Sequence, residues 1–186
     1  MRIRIISGSL KGRFIQVRDA GPSFRPTLER TRQAVADAIM PSIAGSHAAD
    51  LCAGSGAFGF EMLSRGAAAV EFVEVDRHRA RQIALSAETF GVQERCRVTA
   101  VDVRTFLRRA PGAFDIVYFD PPYDDAGLAV CAADLRGLLA DGGILLYEHR
   151  REKKERGAGP VCPVARTIVC GDSVVDVIDG RSCAAV

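Results

Sequence analysis

Two hydrophobic rhythms divide the chain near residue 46. Over residues 2–18 apolar positions alternate imperfectly: Ile3, Ile5, Phe14, Ile15 and Val17, with the turn-prone Gly8 and Gly12 between them. This predicts a hairpin presenting Arg4, Lys11 and Arg13. A Gly-Pro turn follows at 21–22. Thr27 then serves as N-cap for a helix from Leu28 to about Met40, with Arg30 and Arg32 in its first turns and Pro41 as its stop.

From residue 47 the pattern becomes strand, helix, strand. Strands are predicted at 48–52, 70–75, 97–101, 114–119 and 143–147, and helices at 57–65, 77–90, 103–109 and 128–139, with Gly66 and Gly91 as helix stops. Such alternation implies a parallel sheet covered on both faces. Residues 165–169 and 174–178, joined by Gly171-Asp172, predict a closing antiparallel hairpin. The expectation is an α/β fold with a mostly parallel seven-stranded sheet and an antiparallel edge hairpin. A small N-terminal extension over 1–45 precedes the main domain over 46–186. No internal repeat interrupts this order.

Composition narrows the class. Of 186 residues, 48% are hydrophobic and 26% charged, as in ordinary globular proteins rather than disordered or collagen-like ones. At this length about 70% of the extended surface can be buried, enough for one core. The N-terminus lacks the apolar run of a signal peptide, and no stretch reaches the roughly 18 apolar residues of a membrane span. A cytoplasmic, membrane-free protein is expected. Cys52, Cys96, Cys131, Cys162, Cys170 and Cys183 form no C-x-x-C pair, and His occurs only at 47, 78 and 149, so no zinc template fits and no metal is expected.

The net charge of +2 hides an asymmetry. Residues 1–33 carry 8 Lys/Arg against 2 Asp/Glu, and the other 153 carry 17 against 21. A basic head on an acidic body suits a polyanionic partner, although a solvated charged terminus explains the same numbers. The run Arg150-Arg-Glu-Lys-Lys-Glu-Arg156 reads as a solvated loop or a nucleic-acid contact.

The chemistry starts in the glycine-rich loop. Gly54, Gly56 and Gly59 give G-x-G-x-x-G between a strand and a helix, a spacing that lets a ligand approach the backbone. A dinucleotide is one candidate. Two acids favour another ligand. Asp50, at the end of the first strand of the main domain, can receive a cationic amino group but would oppose a pyrophosphate. Glu74, in Glu74-Val75-Asp76 at the end of the second, can accept from ribose hydroxyls. A ligand with both a ribose and a positive amino end fits S-adenosylmethionine. Asp102 can accept from an adenine amino group, with Val101 or Val103 against the ring, or simply cap the following helix.

Asp120-Pro121-Pro122-Tyr123 ends the strand at 114–119. The prolines fix successive φ angles, so the Asp120 carboxylate and Pro121 carbonyl can converge on one small target. An amine conjugated to a purine is a poor nucleophile because its lone pair is delocalised. Two acceptors on its N–H groups favour a pyramidal nitrogen and free that lone pair for attack on a methyl group. Tyr123 offers a face for an extruded base.

These residues look like a class I S-adenosylmethionine-dependent methyltransferase acting on a planar amine. The match is closer still. Ile5 to Arg13, Arg25-Pro-Thr-Leu-Glu-Arg-Thr-Arg32, Asp50 to Gly66, Phe72 to Asp76, Asp120 to Tyr123 and the Cys170-Gly-Asp172 turn resemble successive signatures of the RsmD family. That family comprises bacterial small-subunit (16S) ribosomal RNA guanine-N2 methyltransferases. The resemblance implies that Asp50, Ala53, Gly54, Ser55 and Gly56 hold the methionine portion of the cofactor. Glu74 and Val75 would lie at the ribose, and Asp102 and Val103 at the adenine. Arg25 and Thr27 fall in a lid-like segment near the cofactor. Asp120, Pro121, Pro122 and Tyr123 would form the target-amine site. Arg4, Lys11, Arg13, Arg30 and Arg32 would face RNA. Ser86 stands where the family pattern suggests Asn, and residues 125–165 match poorly.

Other acceptors share the planar amine: adenine N6 in nucleic acid, or a protein glutamine amide. A nicotinamide-dependent oxidoreductase would explain the glycine loop but neither Asp50 nor Asp-Pro-Pro-Tyr. A binding protein without turnover would keep the fold alone. The expected partner is ribosomal RNA within a small-subunit assembly intermediate, met by a monomer.

Overall fold

The computed structural model describes residues 1–17, 29–108, 114–122, 130–151 and 163–180. Strands β1 (Arg2–Arg4) and β2 (Phe14–Gln16) pair antiparallel, Ile3 opposite Ile15. Helix α1 (Glu29–Ala38) follows, and a 3-10 turn at Met40–Ser42 contains Pro41.

The main sheet uses β3 (His47–Leu51), β4 (Ala69–Val73), β5 (Cys96–Thr99), β6 (Phe114–Phe119), β7 (Leu139–Arg150), β8 (Arg166–Cys170) and β9 (Ser173–Asp179). Their order is β5-β4-β3-β6-β7-β9-β8. The first five are mutually parallel, and β9 and β8 close the edge antiparallel. This is the class I methyltransferase fold. Helices α2 (Ala57–Ser64), α3 (Arg77–Phe90) and α4 (Val103–Leu107) connect the strands.

Side-chain alternation splits the core between the two sheet faces. Ile116, Tyr118 and Leu146 point toward α2, α3 and the N-terminal hairpin. Val117, Phe119 and Leu145 point toward α4 and the segment at 130–138. Every residue of α2 is buried, because the sheet covers one side of it and the hairpin the other. Glu61 of α2 accepts from the amides of Ile6 and Ser7 at 2.9 and 3.1 Å and from Arg65 Nε at 2.8 Å. A buried carboxylate thus holds the hairpin to the body.

Two elements differ from expectation. Residues 130–138 form a 3-10 helix rather than the α-helix expected over 128–139, with Gly137 weakening α-helical propensity near its end. Strand β7 is longer than 143–147. Phe114 pairs with Leu139, the register shifts, and pairing resumes at Ile116 with Ile144. Periodicity saw only the stretch after that irregularity. The described residues contain no helix long and apolar enough to cross a membrane. Nor do they contain a cluster of three or more His, Cys, Asp or Glu able to hold a metal.

Candidate active site at the carboxyl edge of the sheet

Because β3, β4, β5 and β6 are parallel, the segments after them meet at one edge. The chain runs outward from β3 through β4 to β5, then returns to β6 on the other side of β3. This reversal opens a crevice beside β3, where open α/β sheets bind ligands. The loop after β3 and the Asp-Pro-Pro segment after β6 are neighbours. The Asp120 amide donates to the Leu51 carbonyl at 3.5 Å, and that of Ala53 donates to Val73 at 3.0 Å.

The loop needs unusual backbone geometry. Cys52, Gly54 and Gly56 have φ of 60°, 56° and 74°. This succession turns the chain sharply from β3 into α2. It leaves the amide of Gly54 to donate to Glu74 Oε2 at 2.7 Å. The other oxygen of Glu74 accepts from the Asp76 amide at 2.9 Å. Glu74 is buried and spans the gap between the two loops.

Asp50 is also buried, with Oδ2 accepting from the Gly59 amide at 2.9 Å. Burial raises its pKa to about 8; the Gly59 bond opposes this, and the charge of Glu74 reinforces it. Cys52 senses the whole cluster. Burial, with Glu74, Asp120, Asp50 and Asp102 around it, drives its thiol far above the ordinary range. These four carboxylates gather around Cys52 at the carboxyl edge of the sheet.

Two valines flank these acids. Val75 leaves an apolar side chain 64% exposed beside Glu74, and Val103 lies buried behind Asp102. Asp102 caps α4, accepting from the Arg104 amide at 2.8 Å. One of its oxygens is therefore committed to the helix. Pro121 is buried and Pro122 exposed. Ala53, Ser55, Gly56 and the Asp120-Pro-Pro segment lie at the same edge. Arg25, Thr27 and Tyr123 lie outside the described residues, as do residues 152–156 of the charged run.

The basic head is only partly as expected. Arg4, Lys11, Arg13 and Arg30 are exposed. Arg13 also donates to the Phe90 carbonyl at 3.1 Å, at the end of α3. Arg32 is a correction: it is 2% exposed, and its Nη2 donates to the Arg4 carbonyl at 2.9 Å. Desolvation lowers its pKa, opposed by Glu61 and Glu29. Its charge works inside the fold rather than on a phosphate backbone.

Sequence reasoning missed a second buried pair. The hydroxyl of Tyr118 donates to Glu148, and its ring stacks on Phe58 at 3.8 Å between centroids. Burial raises the pKa of Glu148, opposed by hydrogen bonds from Tyr118 and Ser173. An acid inside an otherwise apolar strand, Leu145-Leu-Tyr-Glu148, was the available signal.

The sequence profile of a family described as conserved hypothetical protein 95 matches residues 3–175. Ribosomal RNA small subunit methyltransferase D of Escherichia coli (strain K12) is 33% identical over 153 residues, covering 81% of this chain and 76% of that protein. The solved structure of yhhF from Escherichia coli, described as a methyltransferase candidate, has a TM-score of 0.84 at 30% identity. The match covers 96% of this chain and 98% of that one. An RNA methyltransferase from Salinibacter ruber, solved with S-adenosyl-L-homocysteine, is similar in fold: TM-score 0.65, 15% identity, 83% and 93% coverage.

Proposed function

The chain belongs to the conserved hypothetical protein 95 family, that of the RsmD methyltransferases, and from that premise we propose that it methylates the exocyclic N2 amine of a guanine in small-subunit ribosomal RNA. Family membership carries the coarser statement: the chain is a ribosomal RNA methyltransferase that uses S-adenosylmethionine. One observation carries the cofactor's place, the convergence of Asp50, Glu74, Asp102 and Asp120 around Cys52. Carboxylates gathered at a sheet edge, one of them with its pKa near 8, suit a ligand that brings positive charge.

Each residue then has a task. Asp50 receives the ammonium of the methionine portion, beside Ala53, Gly54, Ser55 and Gly56. Glu74 turns from the Gly54 amide to the ribose hydroxyls, next to Val75. Asp102 faces the adenine with one oxygen free of the α4 cap, over Val103. Arg25 and Thr27 cover the cofactor. When bound, the cofactor supplies an electrophilic methyl group on a cationic sulfur.

The Asp120 carboxylate and Pro121 carbonyl accept the two N–H groups of the target amine. That holds the nitrogen pyramidal, aims its lone pair, and stabilises the positive charge that develops on it. Pro122 keeps the turn rigid, and Tyr123 stacks on the extruded base. Guanine N2 is the acceptor that the RsmD resemblance implies; adenine N6 and a glutamine amide would present the same planar amine to Asp120. Arg4, Lys11, Arg13 and Arg30 meet the RNA backbone. A monomer this small reads the shape of an assembly intermediate around an accessible loop base.

The deciding experiment transfers labelled methyl to small subunits, or their RNA, from a strain lacking the enzyme. Nucleoside analysis then identifies the product. N2-methylguanosine is expected. Label in N6-methyladenosine or in protein would overturn the acceptor assignment.

A further inference from the structure

The outer face of the N-terminal hairpin carries one side chain that the fold does not explain. Strands β1 and β2 each alternate exposed, buried, exposed. Ile3 and Ile15 enter the core, and Arg2, Arg4, Phe14 and Gln16 face out. An aromatic ring on the solvent face breaks the alternation that places the others. Phe14 is 38% exposed. It pairs across the ribbon with Arg4, and the Arg2 guanidinium lies 4.1 Å from its ring centroid. Residues 1–17 contain Arg2, Arg4, Lys11 and Arg13 and no acid.

We propose that this face is a stacking platform for an unpaired base of the RNA substrate, with Phe14 beneath the base and Arg2 and Arg4 on the flanking phosphates. The inference rests on the RNA reading above and extends it to a contact outside the reacting centre. Three features argue for single-stranded RNA. A flat ring is presented with one face already lined by a cation, a pairing that rigidifies it. The surrounding charge is of one sign, which suits a polyanion. And a planar apolar surface among cations is what a splayed base needs but a duplex cannot use, since the bases of a duplex are stacked on one another. The hairpin is held through Glu61, and through Arg13 to the end of α3. A base stacked there is therefore fixed relative to the glycine loop at the start of α2.

The test measures binding of a fluorescent single-stranded RNA dodecamer and of a duplex of equal length, across a salt series. The proteins are the wild type, Phe14→Ala, Phe14→Leu, Phe14→Tyr and Arg4→Ala. Phe14→Ala and Phe14→Leu should weaken single-strand binding about 5- to 150-fold, the equivalent of about 1–3 kcal/mol of stacking. Phe14→Tyr should restore it. Duplex binding, the salt slope, cofactor binding and the melting temperature should stay put in all Phe14 variants. Arg4→Ala should instead flatten the salt slope. If Phe14→Ala binds the single strand as wild type does while Arg4→Ala weakens it, the platform is overturned and the RNA reading stands. Loss on intact small subunits but not on naked RNA would assign the ring to a protein contact and overturn the platform. Failure of the wild type to bind either RNA or subunits would overturn both readings.

Discussion

Asp50 ties the chemistry of the site to pH. Its pKa of about 8 exceeds the ordinary 3.8 because it is buried. Below pH 8 the free protein holds a proton there that an incoming ammonium must displace. Binding should therefore release a proton, and cofactor affinity should rise by up to about tenfold per unit from pH 6 toward 8, then fall again as the ligand's own ammonium loses its proton. Calorimetry in buffers of different ionisation enthalpy reads the released proton directly. Asp50→Asn, which can still accept from Gly59, should bind weakly and without that rise; a retained rise would assign the proton elsewhere. The same shift acts on folding. The unfolded carboxyl ionises near 3.8 and the native one near 8, so its contribution to stability falls as pH rises between those values. At Asp120 the expectation is a split. Asp120→Ala should cut kcat at least 10²–10³-fold while cofactor affinity holds, since a carboxylate acting on charge developing in the transition state is lost. Parallel losses in both would make it a cofactor ligand instead. Both acids could be picked out from sequence, because each follows an apolar run. The burial that shifts Asp50, and the route by which Glu74 reaches Gly54, arise only once distant loops meet. The same holds in reverse for Arg32, whose helix carries polar residues on both sides and so hides which face turns inward.

Elements with strong local signals were legible to the residue. Helix α3 runs from Arg77 to Phe90 as expected, because Asp76 caps its start and Gly91 its end. Asp76 accepts from the amides of His78 and Arg79 at 2.8 and 3.2 Å, and the Arg79 bond first, then the His78 bond, lowers its pKa. Asp76→Ala should cost about 0.5–2 kcal/mol, a fall in Tm of several degrees, with Asp76→Asn close to wild type. Because the folded pKa is depressed, this advantage is present above pH 3.8 and disappears as pH falls through the lower folded value. An unchanged melting point in Asp76→Ala would mean the cap is replaced by water. The third loop glycine has a different reason from the first two. A Cβ on Gly59 would lie 2.2 Å from the Phe72 ring, so glycine there lets α2 press against β4. Gly59→Ala should destabilise by about 1–3 kcal/mol and reduce cofactor affinity along with it, because Asp50 hangs on the Gly59 amide. What stayed illegible was β7. A strand interrupted at Ala140–Gly143 has no continuous period to read, and its pairing with β6 comes from contacts far away in sequence.

At the scale of the whole molecule, charge and packing divide the chain differently. By charge, residues 1–33 are a basic head on an acidic body. By packing, Ile3, Ile5, Leu10, Ile15 and Val17 share one cluster with Phe58, Phe60 and Leu63 of α2. The joint is ionic as well as apolar. Glu61 is fully buried, takes two hairpin amides, and pairs with Arg65, whose guanidinium also reaches Asp37 of α1. Removing that carboxylate leaves two hairpin amides without their acceptor and Arg65 with Asp37 alone. Glu61→Ala should therefore cost about 3–5 kcal/mol, or roughly 6–20 °C in Tm for a chain of this size. The form of the transition matters more than its midpoint. A shared core melts as one, so calorimetric and van't Hoff enthalpies should agree in the wild type, and hydrogen exchange of the Ile5 and Ser9 amides should follow the global free energy. Exchange in the hairpin far faster than in β3 would instead describe a head that detaches while the body stays folded. The distinction bears on function, because a base held on the hairpin helps to orient the substrate only if the hairpin remains fixed to the helix that opens at the glycine loop.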